Sequence, residues 1–347
     1  MRSRKTGLRR LRPYVALIAV TALIVAAGVV VVVIAPRLGT SQPTVAGQLV
    51  VGAVVAHPPA TFWAVGTHAV KIQNQSLSAQ VNETPITYFR WGGGGDTANQ
   101  STGVSYSPNG TPSRGNGSDG AFVKFCEWRE CHSIFSVPGE INDPGAAAVT
   151  VAYVENTLGY HPDYWSIGNE PQMWTHYGIA WTDWRWTDAS TPSPQEYAVT
   201  VQRDIAAMRS VDPMIRVIGI QSEVGGEAGG PWLAPLVSLD GANLSAVAYH
   251  SYPGSLAPPG GSVANFLATA ASHGFPSDYR TTEAEVAAAC PRCHIPVFVD
   301  EYNGAIEGPY SPYVQSYPDV PLVAAAVAGG LKVNASQFSF FDLQATT

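Results

Sequence analysis

From Phe62 onward, short apolar, β-branched runs alternate with longer segments whose apolar positions recur at helical spacing. The runs are "FWAVG", "ITYFRW", "SIFSVPG", "YWSIG", "IRVIGIQ", "LSAVAYHSY", "IPVFVDEY" and "SQFSFFDLQ". Between them lie "AAAVTVAYVENTLG", "SPQEYAVTVQRDIAAMRS", "WLAPLVSL", "VANFLATAASHG", "TEAEVAAAC" and "PLVAAAVAGGL". The second of these begins Ser-Pro and places Tyr197, Val201, Ile205 and Met208 on one helical face. Eight strands alternating with helices predict a (β/α)8 TIM barrel over 61–347. An open doubly wound sheet fits less well: "RWGGGGD" is glycine-rich but has neither the lysine nor the spacing of a nucleotide loop.

A barrel of this kind carries its chemistry where strands end at the C-terminal face. The strand ends supply Arg90, Glu140, Asn169, Glu170, His250, Tyr252, Asp300 and Glu301. Glu170 and Glu301 each follow a strongly apolar run, counted as strands four and seven. Two facing carboxyl groups are the minimum machinery for glycosidic cleavage, one protonating the leaving oxygen and the other attacking the anomeric carbon or activating water. Arg90 and Tyr252 are suited to keep one of them ionised, while Glu140 is a candidate for substrate binding. Strict alternation would put Asp300 on the side of its strand opposite Glu301, as a structural hydrogen-bonding group.

After Glu170, the residues Trp174, His176, Tyr177, Trp181, Trp184 and Trp186 are too mixed with polar residues to form one core stripe. Trp174 and Trp181 are candidates for stacking on the apolar faces of sugar rings, and the other aromatic residues in part pack the loop.

The N-terminus departs from this alternation. Residues 1–13 are rich in Arg and Lys with no acid, and 14–35 run 22 residues without a charge. That is long enough to span a bilayer, with the basic flank retained in the cytoplasm and the remainder outside the cell. A cleaved signal segment is the rival reading, its apolar region normally being shorter, about 7–15 residues. Residues 36–60 read as a linker with a short strand. Export agrees with two local cysteine pairs, Cys126 with Cys131 and Cys290 with Cys293, expected as disulfides rather than as a zinc site. It also agrees with Asn-x-Ser/Thr sequons at seven of the twelve asparagines, Asn74, Asn82, Asn99, Asn109, Asn116, Asn243 and Asn334. The net charge of −7 and the lack of a basic patch beyond the N-terminus exclude a nucleic-acid partner. Charged residues are only 13% of the chain, about half the usual share, which limits charge build-up at low pH.

"WSIGNEP" and "VFVDEYN" resemble the strand-four and strand-seven segments of the clan A retaining glycoside hydrolases. The likeness extends over about Phe62 to Gln344 and takes in families 39, 44, 51 and 79, which include arabinofuranosidases, xylosidases, endoglucanases and heparanase-like glucuronidases. It implies that Glu170 is the acid/base and Glu301 the nucleophile, with Arg90, His250 and Tyr252 around Glu301 and Asn169 on the sugar's 2-hydroxyl. No cofactor and no metal are implied, and the partner is an extracellular polysaccharide or oligosaccharide. Two departures stand out. "FSFFDLQ" has Phe341 and Asp342 where many relatives carry a tryptophan floor, and the chain ends at Thr347 with no β-sandwich after the eighth strand. The barrel is therefore expected either to be incomplete at its C-terminus or to close differently.

Other chemistries fit poorly. There is no Gly-x-Ser-x-Gly elbow for a serine esterase, and His57, His68, His132, His161 and His176 show no ligand-like spacing. The alternative from another class is a membrane-tethered carbohydrate-binding or cell-envelope protein that keeps the barrel without turnover.

Overall fold

The computed structural model describes residues 59, 62–67, 84–91, 104–106, 112–114, 118–173, 192–223, 230–253, 262, 264–265, 268, 275–303 and 319–340. The predicted anchor at 14–35 with its basic flank, the linker up to residue 58, and Trp174 and Trp181 lie outside these residues. Among the described residues no helix is long and apolar enough to cross a membrane.

Ten strands are described: β1 (Trp63–Thr67), β2 (Tyr88–Trp91), β3 (Val104–Tyr106), β4 (Pro112–Arg114), β5 (His132–Val137), β6 (Tyr164–Ile167), β7 (Val217–Glu223), β8 (Ala246–Ser251), β9 (Val297–Tyr302) and β10 (Gln337–Phe340). Eight of them close a parallel barrel in the order β1-β2-β5-β6-β7-β8-β9-β10, with β10 returning to β1. Each of the eight apolar runs in the sequence supplies one barrel strand, so β6 is the fourth and β9 the seventh. The antiparallel pair β3 and β4 lies in the connection after β2 and has no counterpart in the sequence reading.

The helices are α1 (Ser118–Arg129), α2 (Pro144–Ala152), α3 (Pro194–Val211), α4 (Gly230–Asp240), α5 (Phe275–Ala289) and α6 (Asp319–Lys332). Helix α3 starts with a full capping box: the Ser193 hydroxyl accepts from the Glu196 N–H at 3.2 Å, and the Glu196 carboxylate accepts from the Ser193 N–H at 2.7 Å. Its Tyr197, Val201, Ile205 and Met208 are all buried against the barrel. Helix α1 was not expected. It is stapled to the start of β5 by the Cys126–Cys131 disulfide, while Cys290–Cys293 closes the turn between α5 and β9.

Two apolar layers result. The larger lies between barrel and helices and contains Phe89, Trp91, Phe135, Trp165 and Val299. The smaller plugs the barrel itself with Ala64, Tyr88, Ile134, Ile218, Ala248 and Phe298, and Tyr164 packs against it. Of the sequons in described segments, Asn334 is exposed at the end of α6 with φ 56°. The amide of Asn243 is already engaged, donating to Asp240 at 3.2 Å and accepting from Arg209 at 2.7 Å.

Burial pushes several carboxyl groups upward. Asp204 on α3 is held well above its ordinary value by desolvation, which outweighs Arg203, and the Asp143 and Glu140 charges add to the rise. Asp278 on α5 is raised by burial to about 7, and Asp240 is raised for the same reason. A carboxyl whose folded pKa lies above its unfolded value favours the fold most below the unfolded value, near 4, and that advantage is lost as pH rises through the folded one. The Tm is therefore expected to climb as pH falls from 8 towards 5. Asp204→Asn should raise the Tm at pH 8 by about 2–4 °C and by less at pH 5. A Tm independent of pH over this range in thermal unfolding would contradict the assignment.

Candidate active site

Side chains two apart on a strand share a face, so each residue of the apolar plug predicts what stands above it. Two positions after Tyr88 is Arg90; after Ile134, Ser136; after Tyr164, Ser166; after Ala248, His250; and after Phe298, Asp300. The barrel interior thus changes from apolar to polar within two residues along five strands. Ser136 and Ser166 hydrogen-bond each other at 2.7 Å, and Asp300 lies against both Arg90 and His250.

Alternation alone would turn Glu301 outward. A register shift prevents it: on the β8–β9 ladder Tyr249 pairs with Val299 but His250 pairs with Glu301, and β10 skips at the same place. This bulge holds one extra residue on β9 and brings Asp300 and Glu301 to the same side. Asp300 is consequently not on the opposite face as alternation from Glu301 had suggested. Its carboxylate lies 3.4 Å from Arg90 Nε and 3.4 Å from His250 Nε2.

Glu170 reaches the site by a different device. β6 ends at Ile167, and Gly168 (φ 69°) and Glu170 (φ 47°) both take left-handed backbone before Pro171. That conformation costs nothing for glycine but is unfavourable for a glutamate, so the neighbouring packing must hold it. Gly139, at the end of β5, helps the chain pass: a Cβ there would lie 3.0 Å from Ile167 Cγ2 and 3.1 Å from the Gly168 nitrogen.

These elements converge on one buried network. Arg90 donates from Nη1 to Glu301 Oε1 and from Nη2 to Asn169 Oδ1. The Tyr252 hydroxyl donates to Glu301 Oε2 at 2.6 Å. His250 Nδ1 stands 2.7 Å from Glu170 Oε1 and 3.3 Å from Glu301 Oε2. Glu170 and Glu301 each offer a carboxylate oxygen, and these two atoms and a ring nitrogen of His250 all lie within 4.8 Å of one another. Six of the candidates, Arg90, Asn169, Glu170, His250, Tyr252 and Glu301, are therefore assembled in one place. Glu140 is buried in the turn after β5, where its charge acts on Tyr197 and Asp204.

Burial pulls the His250 imidazolium down, but the Glu301, Asp300 and Glu170 carboxylates outweigh it and raise the pKa from 6.5 to about 10. The guanidinium of Arg90 is likewise opposed by burial and raised by Asp300 and Glu301. Burial and the Glu301 charge push the Tyr252 phenol well up, so it stays a donor. The Glu170, His250 and Glu301 trio has the spacing of a metal site, yet a protonated imidazole has no lone pair for a metal and Arg90 already supplies a cation to Glu301. With both cations in place, three ionised carboxyls leave the cluster one charge negative, and a proton on any one of them makes it neutral.

No protein-family model and no curated protein matches the sequence. Solved structures do match in fold. A family 51 arabinofuranosidase from Xanthomonas axonopodis pv. citri superposes with a TM-score of 0.57 at 14% identity, covering 78% of this chain and 61% of its own length. A family 44 xyloglucanase from Paenibacillus polymyxa gives 0.59 at 10% identity, covering 83% and 73%. A glucosidase from Croceicoccus marinus gives 0.54 at 14% identity, covering 81% and 60%. The chain thus spans about three-fifths of the first and third of these proteins, and at these identities the likeness is one of fold: its closed eight-stranded barrel is similar to those of family 51 and family 44 glycoside hydrolases.

Proposed function

We propose that the protein is a retaining glycoside hydrolase that cleaves an extracellular polysaccharide or oligosaccharide by double displacement, held at the cell surface by residues 14–35. The observation that carries this reading is the approach of Glu170 and Glu301, whose carboxylate oxygens come within 4.8 Å. Retaining enzymes place their two carboxyl groups about 5–5.5 Å apart, whereas inversion needs about 6.5–9.5 Å to admit a water.

The surroundings divide the roles. Glu301 accepts hydrogen bonds from Arg90 and Tyr252, which stabilise its ionised form as a nucleophile. It attacks the anomeric carbon as the bond to the leaving oxygen breaks, and that oxygen takes the proton of Glu170. The resulting glycosyl ester on Glu301 is then attacked by water, which gives its proton to Glu170 and frees both the sugar and Glu301. A proton on Glu170 makes the cluster neutral and leaves Glu301 ionised between Arg90 and Tyr252. Asn169, oriented by Arg90, is placed in this scheme to meet the sugar's 2-hydroxyl. Trp174 and Trp181 remain the candidates for stacking on the sugar faces.

Aryl arabinofuranosides, xylosides, glucosides and glucuronides, together with arabinan and xyloglucan, form the substrate screen. Hydrolysis of none of them would sink the proposal in favour of a non-hydrolytic carbohydrate-binding barrel. Glu301→Ala should abolish turnover. Glu170→Ala should lose about 10²–10⁴-fold with a poor leaving group and regain rate with azide and an activated aryl glycoside. Wild-type activity in either variant would remove its role. His250 adds a test by pH: its raised pKa contributes stability that is complete below about 6.5 and lost as pH rises to about 10. Wild-type Tm should fall over that interval, and in His250→Asn the fall should be shallower; equal slopes would show that the imidazolium is not held by the three carboxylates.

A further inference from the structure

A second cluster of titratable groups occupies the opposite, N-terminal face of the barrel. Glu155 sits in a π-helical turn, Tyr153–Thr157, that continues α2. His161 lies in the loop entering β6, and Asp212 caps the end of α3 just before β7. One donor atom from each of the three falls within 4.8 Å of the others, and His161 Nδ1 is 3.7 Å from Glu155 Oε2. They line a cavity of about 250 Å³ together with Trp165, Asp163 and Arg216.

We propose that Glu155, His161 and Asp212 bind a zinc-class divalent cation that ties α2 to the loops entering β6 and β7. Zinc bound tetrahedrally by nitrogen and oxygen at about 2.0–2.2 Å keeps its ligand atoms roughly 3.3–3.6 Å apart. The His161–Glu155 separation is close to that already, and the His161 ring, 72% exposed, is free to close the rest. One imidazole with two carboxylates suits zinc better than calcium, which takes six to eight oxygens.

Two further features point to a cation here. The first is a buried donor: the indole N–H of Trp165, wholly buried, faces the Glu155 carboxylate without the geometry of a full hydrogen bond. A buried N–H aimed at a carboxylate is the kind of outer support that orients a metal-ligating oxygen. Asp212 has its equivalent, since its Oδ1 accepts from the Met214 N–H at 2.8 Å. The second is charge. Burial and the Asp212 charge raise the Glu155 carboxyl against the opposing pull of His161, and the guanidinium lining the same cavity is committed elsewhere: Arg216 donates from Nε to the Asp163 carbonyl at 2.9 Å, approaches Asp163 Oδ1 at 3.5 Å and lies over the Tyr164 ring at 4.2 Å. The cluster draws on none of the residues assigned to the barrel's other end, so it stands or falls independently of the glycosidase reading.

The test uses the full chain stripped with chelator and titrated with zinc chloride, followed by thermal unfolding and calorimetry. Zinc is expected to raise the Tm by about 5 °C, and His161→Ala and Asp212→Asn should each abolish most of the rise. His161→Ala alters an exposed side chain, so its fold is not at risk. Cobalt substituted for zinc should show visible d–d absorption that His161→Ala removes. Zinc could instead visit the catalytic cluster, and His250→Asn separates the two. A zinc response that survives His161→Ala but disappears in His250→Asn would overturn the proposal, as would no response at all.

Discussion

The arrangement at the top of the barrel depends on one buried cation. Arg90 is almost wholly inaccessible, and its guanidinium is shared among Glu301, Asp300 and Asn169, which come from β9 and from the end of β6. An unpaired charge at this depth would be prohibitive, and each of these carboxylates would be equally costly without it. Each partner therefore exists in its position because the others do. Arg fits this role through its rigid fork of donors, which satisfies acceptors on different strands at once. A lysine would offer one point charge and could not hold Asn169 and Glu301 in fixed relation.

The same requirement shows which parts of the fold were legible from the sequence. All eight barrel strands were visible because each is a short apolar run, and the local cysteine pairs were visible because their spacing leaves little choice. Glu170 and Glu301 stood out because each follows such a run, and the fold brings the two together. Helix α1 was missed because its buried face is not uniformly apolar: Asp119 is fully buried and accepts from the Trp91 indole at 2.9 Å. That bond interrupts the stripe which Phe122, Val123 and Cys126 would otherwise continue. Asp300 was misplaced because alternation was counted from Glu301 rather than from Phe298, whose place in the barrel plug puts Asp300 inside. The bulge that admits both acids is a property of strand pairing, and a single strand's sequence does not display it.

Low charge content takes on a structural meaning here. Among the chain's few ionisable groups, Asp204, Asp278 and Asp240 stand in buried places and are all raised by desolvation. The imidazolium of His250 works in the same direction, since it too is favoured at lower pH. Two independent kinds of group therefore favour the fold under acid conditions, one by holding protons in apolar surroundings and the other by holding a proton among carboxylates.

The two ends of the barrel offer a comparison within one molecule. At each end a histidine and two carboxylates stand within 4.8 Å, so distance alone makes them alike. Their cations differ. At the C-terminal end Arg90 and the His250 imidazole, whose pKa the surrounding carboxylates raise, are built into the fold as partners of Glu170, Asp300 and Glu301. At the N-terminal end the nearest guanidinium is bound to Asp163 and Tyr164, and the histidine is exposed to solvent. The same three side-chain types thus suit the proposed acid–base chemistry where the fold supplies positive charge, and the proposed cation site where it does not.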